Sequence, residues 1–407
     1  MASVHPFRAL RPLPEVAARV SSVPYDVVNT EEARALAAGN PLSFLHVTRS
    51  EIDLPPDADP YSDGVYDRAA ANFEELKRSA PLIVEPEPSV YFYRLRVGAG
   101  EQTGLAACYS LDEYDRDLIK KHERTRRDKE DDRTRHIVRL RAQTGVVFLT
   151  YRASADVDAI AAKVCAGKPL YDFTAPDGVA HTIWQAGRAE THALAAAFSR
   201  VPALYIADGH HRAASAARTR NELRAKDEAP GEFDTFLAVA FPDNQVSILP
   251  YNRVVKDLAG RAPDAFLAEL KARVSVREGA ASPSRKGAVS MYLDGRWYAL
   301  DLRAIQDRAA GDRIGALDVS VLQKHVLDEV LKISDPRTDK RVDFVGGIRG
   351  TGELEKLVNG GKAAVAFSMY PVTVDDLMGI ADDGGIMPPK STWFEPKLRD
   401  GLLVHLI

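Results

Sequence analysis

The chain has 407 residues, 45% of them apolar and 28% charged, with a net charge of −4. That balance suits a globular protein of two or three domains and excludes a general nucleic-acid coat, which needs a broad basic face. Two cysteines, Cys108 and Cys165, exclude a disulfide framework. With no apolar leader in "MASVHPFRALRPLPEV" and no apolar run of about 18 residues, the expectation is a cytoplasmic protein without a membrane span.

In chain order, Asn29-Thr30 can cap a short helix that Gly39-Asn40-Pro41 ends. "PLSFLHVTR" reads as a strand and "DLPPDADPYSDG" as a loop. Tyr66, Ala70, Phe73 and Leu76 have helical spacing. "SVYFYRLRVGAGEQTGLAACYSL" reads as a hairpin around Gly98-Ala99-Gly100. "VVFLTYR", "VPALYIA", "FDTFLAVAF" and "SILPYNRVV" are strand candidates, and "VDAIAAKVCAG" is a helix. The small, polar stretch Arg277 to Gly287 is the expected boundary between a main region, 1–277, and a C-terminal region, 288–407. Beyond it lie a hairpin turning at Asp294-Gly295, a long helix around "VSVLQKHVLDEVLK", a loop "GGIMPPKSTWFEPK" and a last strand "LLVHLI". Strands and helices mix without regular alternation, so the expected class is α+β with mixed sheets.

Four stretches carry chemistry. "ALYIADGHHR" runs a core strand into Asp208, Gly209, His210, His211 and Arg212, where a helix begins. The free N–H groups of a helix start suit a phosphate, glycine lets the backbone approach it, and arginine can grip it with two bonds. Asp208 can hold a cation or cap the helix.

Lys120 to Arg141 holds ten Lys/Arg against five Asp/Glu. Its "KKHERT" segment packs Lys121, His122, Glu123 and Thr125 together, a set able to neutralise phosphates while Glu123 accepts a proton. "MPPKSTWFEPK" presents Lys390, Ser391 and Thr392 on a proline-stiffened loop, with Trp393 and Phe394 as anchors or a purine stack. "SDPRTDKRVDFVGG" contributes Arg337, Asp339 and Lys340, which serve equally as an exposed ion-paired turn. The P-loop, GxGxxG, HRD, DFG and GxSxG patterns are absent, and HExxH fails because position 126 is arginine.

"PFRALRP", "PYDVV", "NPLSFLHV", "KKHERT", "YIADGHHRAASA", "YNRVVKDL", "DPRTDKRVDFVGG" and "MPPKSTWFEPKL" span nearly the whole chain. Together they resemble the bacterial and archaeal family catalogued as domain of unknown function 1015. The D-G-H-H-R signature is similar to that of nucleotide-dependent kinases of free L-serine with a ParB/sulfiredoxin-like fold. The resemblance implies such a core, elaborated by an extra hairpin and a C-terminal α/β region. It also implies a phosphate site at Asp208 to Arg212. Our expectation is therefore a kinase using ATP or ADP with Mg²⁺, its metal held by Asp208, acting on the hydroxyl of L-serine. Glu123 is the base, with Asp26 of "PYDVV" as rival. Oligomers are compatible with this reading. A ParB-like regulator without turnover is the second possibility. A metal-dependent phosphohydrolase using Asp208, His210 and His211 is the third.

Overall fold

The computed structural model describes residues 2–226, 228–307 and 311–407. The chain forms two compact units, Met1–Val246 with Pro396–Ile407, and Ser247–Glu395. The class is α+β, as expected. No helix among the described residues is long and apolar enough to cross a membrane.

Early in the first unit, α1 (Thr30–Ala37) starts at Asn29, whose side chain accepts from the Glu32 N–H while Glu32 reaches back to the Asn29 N–H. The following helix α2 (Asp63–Ser79) buries Tyr66, Phe73 and Leu76. The expected strand "PLSFLHVTR" is instead turn and helix, with Leu45–Thr48 helical. Its apolar residues do not alternate: Phe44, Leu45 and Val47 are all buried. The Thr48 N–H and hydroxyl both return to the Phe44 carbonyl.

The main sheet of this unit contains β1 (Tyr91–Val97), β2 (Gly100–Ser110), β3 (Ile119–Lys120), β4 (Val147–Tyr151), β5 (Tyr171–Thr174), β6 (Ala180–Gln185), β7 (Leu204–Asp208) and β8 (Thr235–Pro242). Their order is β3-β7-β4-β8-β2-β1-β6-β5, with Val4–His5 beside β2. The pairs β3/β7 and β4/β8 are parallel, and the other pairs are antiparallel. Phe92, Leu105, Tyr109, Leu149, Ile206 and Phe236 form part of the core on it. Helices α3 (Arg127–Leu140) and α4 (His210–Arg224) follow β3 and β7 respectively and pack on each other. The C-terminal residues return to this unit: Leu10 pairs with Val404, Ser22 with Asp400 and Gln143 with His405.

The second unit has an antiparallel sheet of β9 (Tyr251–Val255), β10 (Ser275–Glu278), β11 (Ala288–Leu293), β12 (Arg296–Asp301), β13 (Val342–Gly346) and β14 (Val365–Met369). Their order is β10-β12-β11-β14-β9-β13. The stretch Arg277–Gly287 thus covers the end of β10 and the loop to β11, inside one sheet rather than between two compact units. Small polar residues mark a loop equally well in either place. The expected long helix is α-helical only over Asp318–Leu322, and Gln323–Asp328 widens into a π-helix.

Candidate functional site

β7 and β3 run side by side in the same direction, with Leu204 opposite Ile119 and Tyr205 opposite Lys120. Two strand-to-helix corners therefore leave the same sheet edge, one into α4 and the other through residues 121–126 into α3. At the first corner Gly209 has φ +95°. An added Cβ there would sit 3.4 Å from the Val147 Cα and 3.3 Å from the Arg212 guanidinium. Only glycine fits this backbone without strain. The N–H groups of His210, His211 and Arg212 form the first turn, where no intrahelical acceptor exists, and no acidic side chain lies in that turn.

The two loops interlock through imidazoles. The His122 N–H donates to His210 Nε2 at 3.4 Å, and the rings meet edge to face at 4.5 Å. The Arg126 N–H donates to His211 Nε2 at 3.0 Å. Accepting these bonds puts the proton of each acceptor ring on Nδ1. Ligand-capable atoms of His122, Glu123 and His210 all lie within 4.8 Å of one another. Burial pulls the His122 pKa down to about 4. Burial, then the neighbouring His122, depress His210 strongly, so both rings are neutral at neutral pH. Among the described residues neither ring nitrogen of His122 meets hydrogen-bond geometry, although the Ile206 backbone lies close enough to favour its charged form.

Asp208 receives the Lys397 ammonium at 2.9 Å. Burial opposes its charged form, but Lys397 and Arg212 outweigh burial and hold the carboxyl well below the usual carboxylate range. The Lys397 ammonium thus occupies one carboxylate oxygen of Asp208, the residue expected to hold the metal. The nearby His122–Glu123–His210 group offers two nitrogens and one oxygen.

Arg212 also departs from expectation. Its guanidinium points inward, donating to the Val146 carbonyl at 2.6 Å and to both oxygens of Asp26 at 2.8 and 2.7 Å. It is committed to these partners rather than presented to an anion. Asp26 sits on the short turn Tyr25–Val27. Two guanidinium groups lie near the Tyr25 ring, Arg133 at 4.2 Å and Arg212 at 5.9 Å from its centre. Near them Asp400 is 1% exposed, and its Oδ2 has no hydrogen-bond partner among the described residues. Burial raises the Asp400 pKa to about 7 against the pull of Arg212.

The remaining sequence candidates divide by unit. Lys121 is turned onto Tyr114 and Asp117, with Nζ 2.9 Å from the Tyr114 carbonyl and 2.6 Å from Asp117 Oδ1. Thr125 donates to the Glu130 carboxylate. In the second unit Lys390 adopts φ +56° and lies 5.4 Å over the Tyr251 ring. Ser391 donates to the Pro388 carbonyl at 2.6 Å, and Thr392 is half-buried. Trp393 meets Tyr251 edge-on at 5.2 Å and Phe394 is buried, so both anchor the loop. Arg337 is paired with Asp335 and Asp339 with Arg341, while Lys340 is exposed.

Sequence reasoning missed three groups. Lys397 lay within a quoted motif but carried no distinguishing signal. Tyr25 adjoined a candidate, and Asp400 gave no signal.

No curated protein matches the sequence. Among solved structures, a conserved hypothetical protein from Pyrococcus furiosus is similar with 14% identity and a TM-score of 0.35, over 74% of this chain and 95% of that one. A free serine kinase in complex with AMP is similar with 13% identity and a TM-score of 0.36, over 73% and 91%. SbnI with a C-terminal truncation, from Staphylococcus aureus, is similar with 12% identity and a TM-score of 0.40, over 74% and 87%. The family model "Protein of unknown function (DUF1015)" matches residues 4–320, more than half of the chain, and the chain belongs to that family.

Proposed function

We propose that this protein is a small-molecule kinase that transfers a phosphoryl group from a nucleotide, ATP or ADP, to the hydroxyl of free L-serine. One observation carries the reading. The D-G-H-H-R corner and the KKHERT loop, 88 residues apart at His122 and His210, are joined by hydrogen bonds at the ends of two parallel strands. Two adjoining helix starts make one place rich in N–H donors, and phosphoryl transfer needs charge neutralisation and alignment above all.

In this reading the first-turn N–H groups of α4 and the His211 ring face the phosphates. Lys397, paired with Asp208, offsets charge on the transferred group. Glu123 takes the proton as the serine oxygen bonds to phosphorus and the bond to the leaving phosphate breaks. Mg²⁺ enters with the nucleotide as part of the substrate. Arg212 fixes Asp26 instead of touching phosphate. Serine as acceptor rests on the likeness of the signature to that of free serine kinases.

The test is incubation with Mg²⁺ and ATP or ADP against a panel of hydroxylated amino acids, read by ³¹P NMR. Phosphoserine formation is expected. Nucleotide binding without any phosphorylated product favours a regulator.

A metal-dependent phosphohydrolase is a second reading, favoured by the buried imidazole of His122 beside Glu123 and His210. Its ligands differ from the Asp208–His210–His211 set expected from sequence, because Asp208 and His211 have partners elsewhere. Stoichiometric transition metal in the purified protein, by elemental analysis, would support it.

A further inference from the structure

Three sequence motifs that the kinase reading leaves unused meet inside the second unit. Arg253 comes from "YNRVVKDL", Asp335 and Arg337 from "DPRTDKRVDFVGG", and Pro388 and Pro389 from "MPPKSTWFEPKL". All five line a single cavity of about 320 Å³. A water occupies roughly 30 Å³ of liquid, so the space holds on the order of ten waters or a ligand of similar size.

Arg253 is the unusual member. It lies on β9 and is only 4% exposed. Its guanidinium donates to the Tyr251 carbonyl and, at 3.0 Å, to the Lys390 carbonyl, and it lies 5.4 Å from the Phe344 ring centre. No carboxylate among the described residues pairs with it, and burial pulls its pKa down to about 10. Buried charges are ordinarily paired, because stripping water from an ion without a counter-charge is costly. Among the described residues the only carboxylate in the wall, Asp335, is held by Arg337 through two bonds of 2.9 Å. Among the described residues one negative and two positive groups leave the wall with an excess charge of +1.

The backbone at this wall is irregular as well. Gln323, which lines the cavity, begins the π-helical stretch Gln323–Asp328. Such wide turns recur at functional sites.

We propose that this cavity is a binding site for a small oxyanion-bearing metabolite, a carboxylate or a phosphate monoester, with Arg253 as its buried counter-charge and Arg337 at its mouth. The proposal is independent of the kinase reading, since every group it uses lies in Ser247–Glu395.

The test is calorimetric titration of the full chain with inorganic phosphate and, separately, with succinate. Potassium chloride at matched ionic strength is the control, and the two arms distinguish phosphate from carboxylate recognition. At least one anion is expected to bind saturably, and Arg253→Met is expected to weaken that binding at least tenfold. Ser334→Trp fills the exposed edge of the cavity and leaves Arg253 in place, so it guards against a folding defect in the first variant. It gives up the Ser334 hydroxyl's bond to Asp328 at 2.8 Å, so folding is checked by a cooperative melt, and it should abolish binding. Absence of binding by either anion beyond the chloride control overturns the proposal. So does wild-type affinity in a folded Arg253→Met, or binding that survives in Ser334→Trp.

Discussion

Arg212 holds Asp26 by both carboxylate oxygens across 186 residues of sequence. The guanidinium is nearly buried while the Asp26 side chain is 36% exposed. Removing the arginine strands a partly solvated carboxylate, so Arg212→Ala is expected to cost about 3 kcal/mol, the low end for breaking a buried pair. Urea unfolding measures it. A cost within about 0.5 kcal/mol, as for an ordinary surface substitution, would contradict the structural role.

The two carboxylates near the corners are separable. With Glu123 as proton acceptor, Glu123→Gln should lower turnover about 10²- to 10⁴-fold, the usual range for losing a general base. Asp26→Asn should mainly lower stability, through the loss of its ion pair with Arg212. If Asp26→Asn instead abolishes turnover in a folded protein and Glu123→Gln does not, the roles are reversed.

Much of this was legible in the sequence. The cap at Asn29 formed as expected, and the Asp294-Gly295 turn formed with positive φ at both residues. The Asp208–Arg212 stretch is a strand-to-helix corner because an apolar run, a glycine and an alanine-rich helix each specify their part locally. What was not legible is long-range pairing. Nothing near Arg212 says that its guanidinium turns inward to Asp26. Nothing near Asp208 says that Lys397, 189 positions away, supplies its cation. "PLSFLHVTR" misled because an apolar run buried on all sides lacks the periodicity that separates helix from strand.

Acid should destabilise the first unit. His122 and His136 are buried, with pKa values brought down to about 4. Unfolded imidazoles take up protons near pH 6.5, so between there and about 4 the unfolded state binds more protons. Stability is therefore highest above that window and falls as pH drops through it. Each tenfold difference in proton affinity is worth about 1.4 kcal/mol per histidine. Unfolding free energies measured from neutral pH down to pH 4 should decline steeply. A flat profile would mean that these rings reach water.

Asp400 has the opposite sign. Burial raises its pKa to about 7, so the folded state retains a proton that the unfolded chain has released. Its contribution is complete below the ordinary carboxylate range and is lost as pH rises toward 7. Asp400→Asn, which cannot ionise, should flatten that loss and stabilise the protein at mildly alkaline pH. Thermal melts of both proteins at pH 6 and pH 8 provide the check. Equal differences at the two pH values would contradict it.

Gly209→Ala places a Cβ in a left-handed backbone conformation and against the Arg212 guanidinium. The conformation alone costs about 1–2 kcal/mol. Thermal denaturation should show the loss, together with weaker nucleotide binding, because the added methyl crowds the start of α4.

The central claim is that the two interlocked corners form one seat for nucleotide phosphates. The most direct measurement is a calorimetric titration of ATP and ADP, with Mg²⁺ present, into the wild type and the His211→Ala and Lys397→Ala variants. Saturable binding that each substitution weakens at least tenfold is the predicted result. Absence of nucleotide binding to the wild type, or undiminished binding in both folded variants, would contradict it.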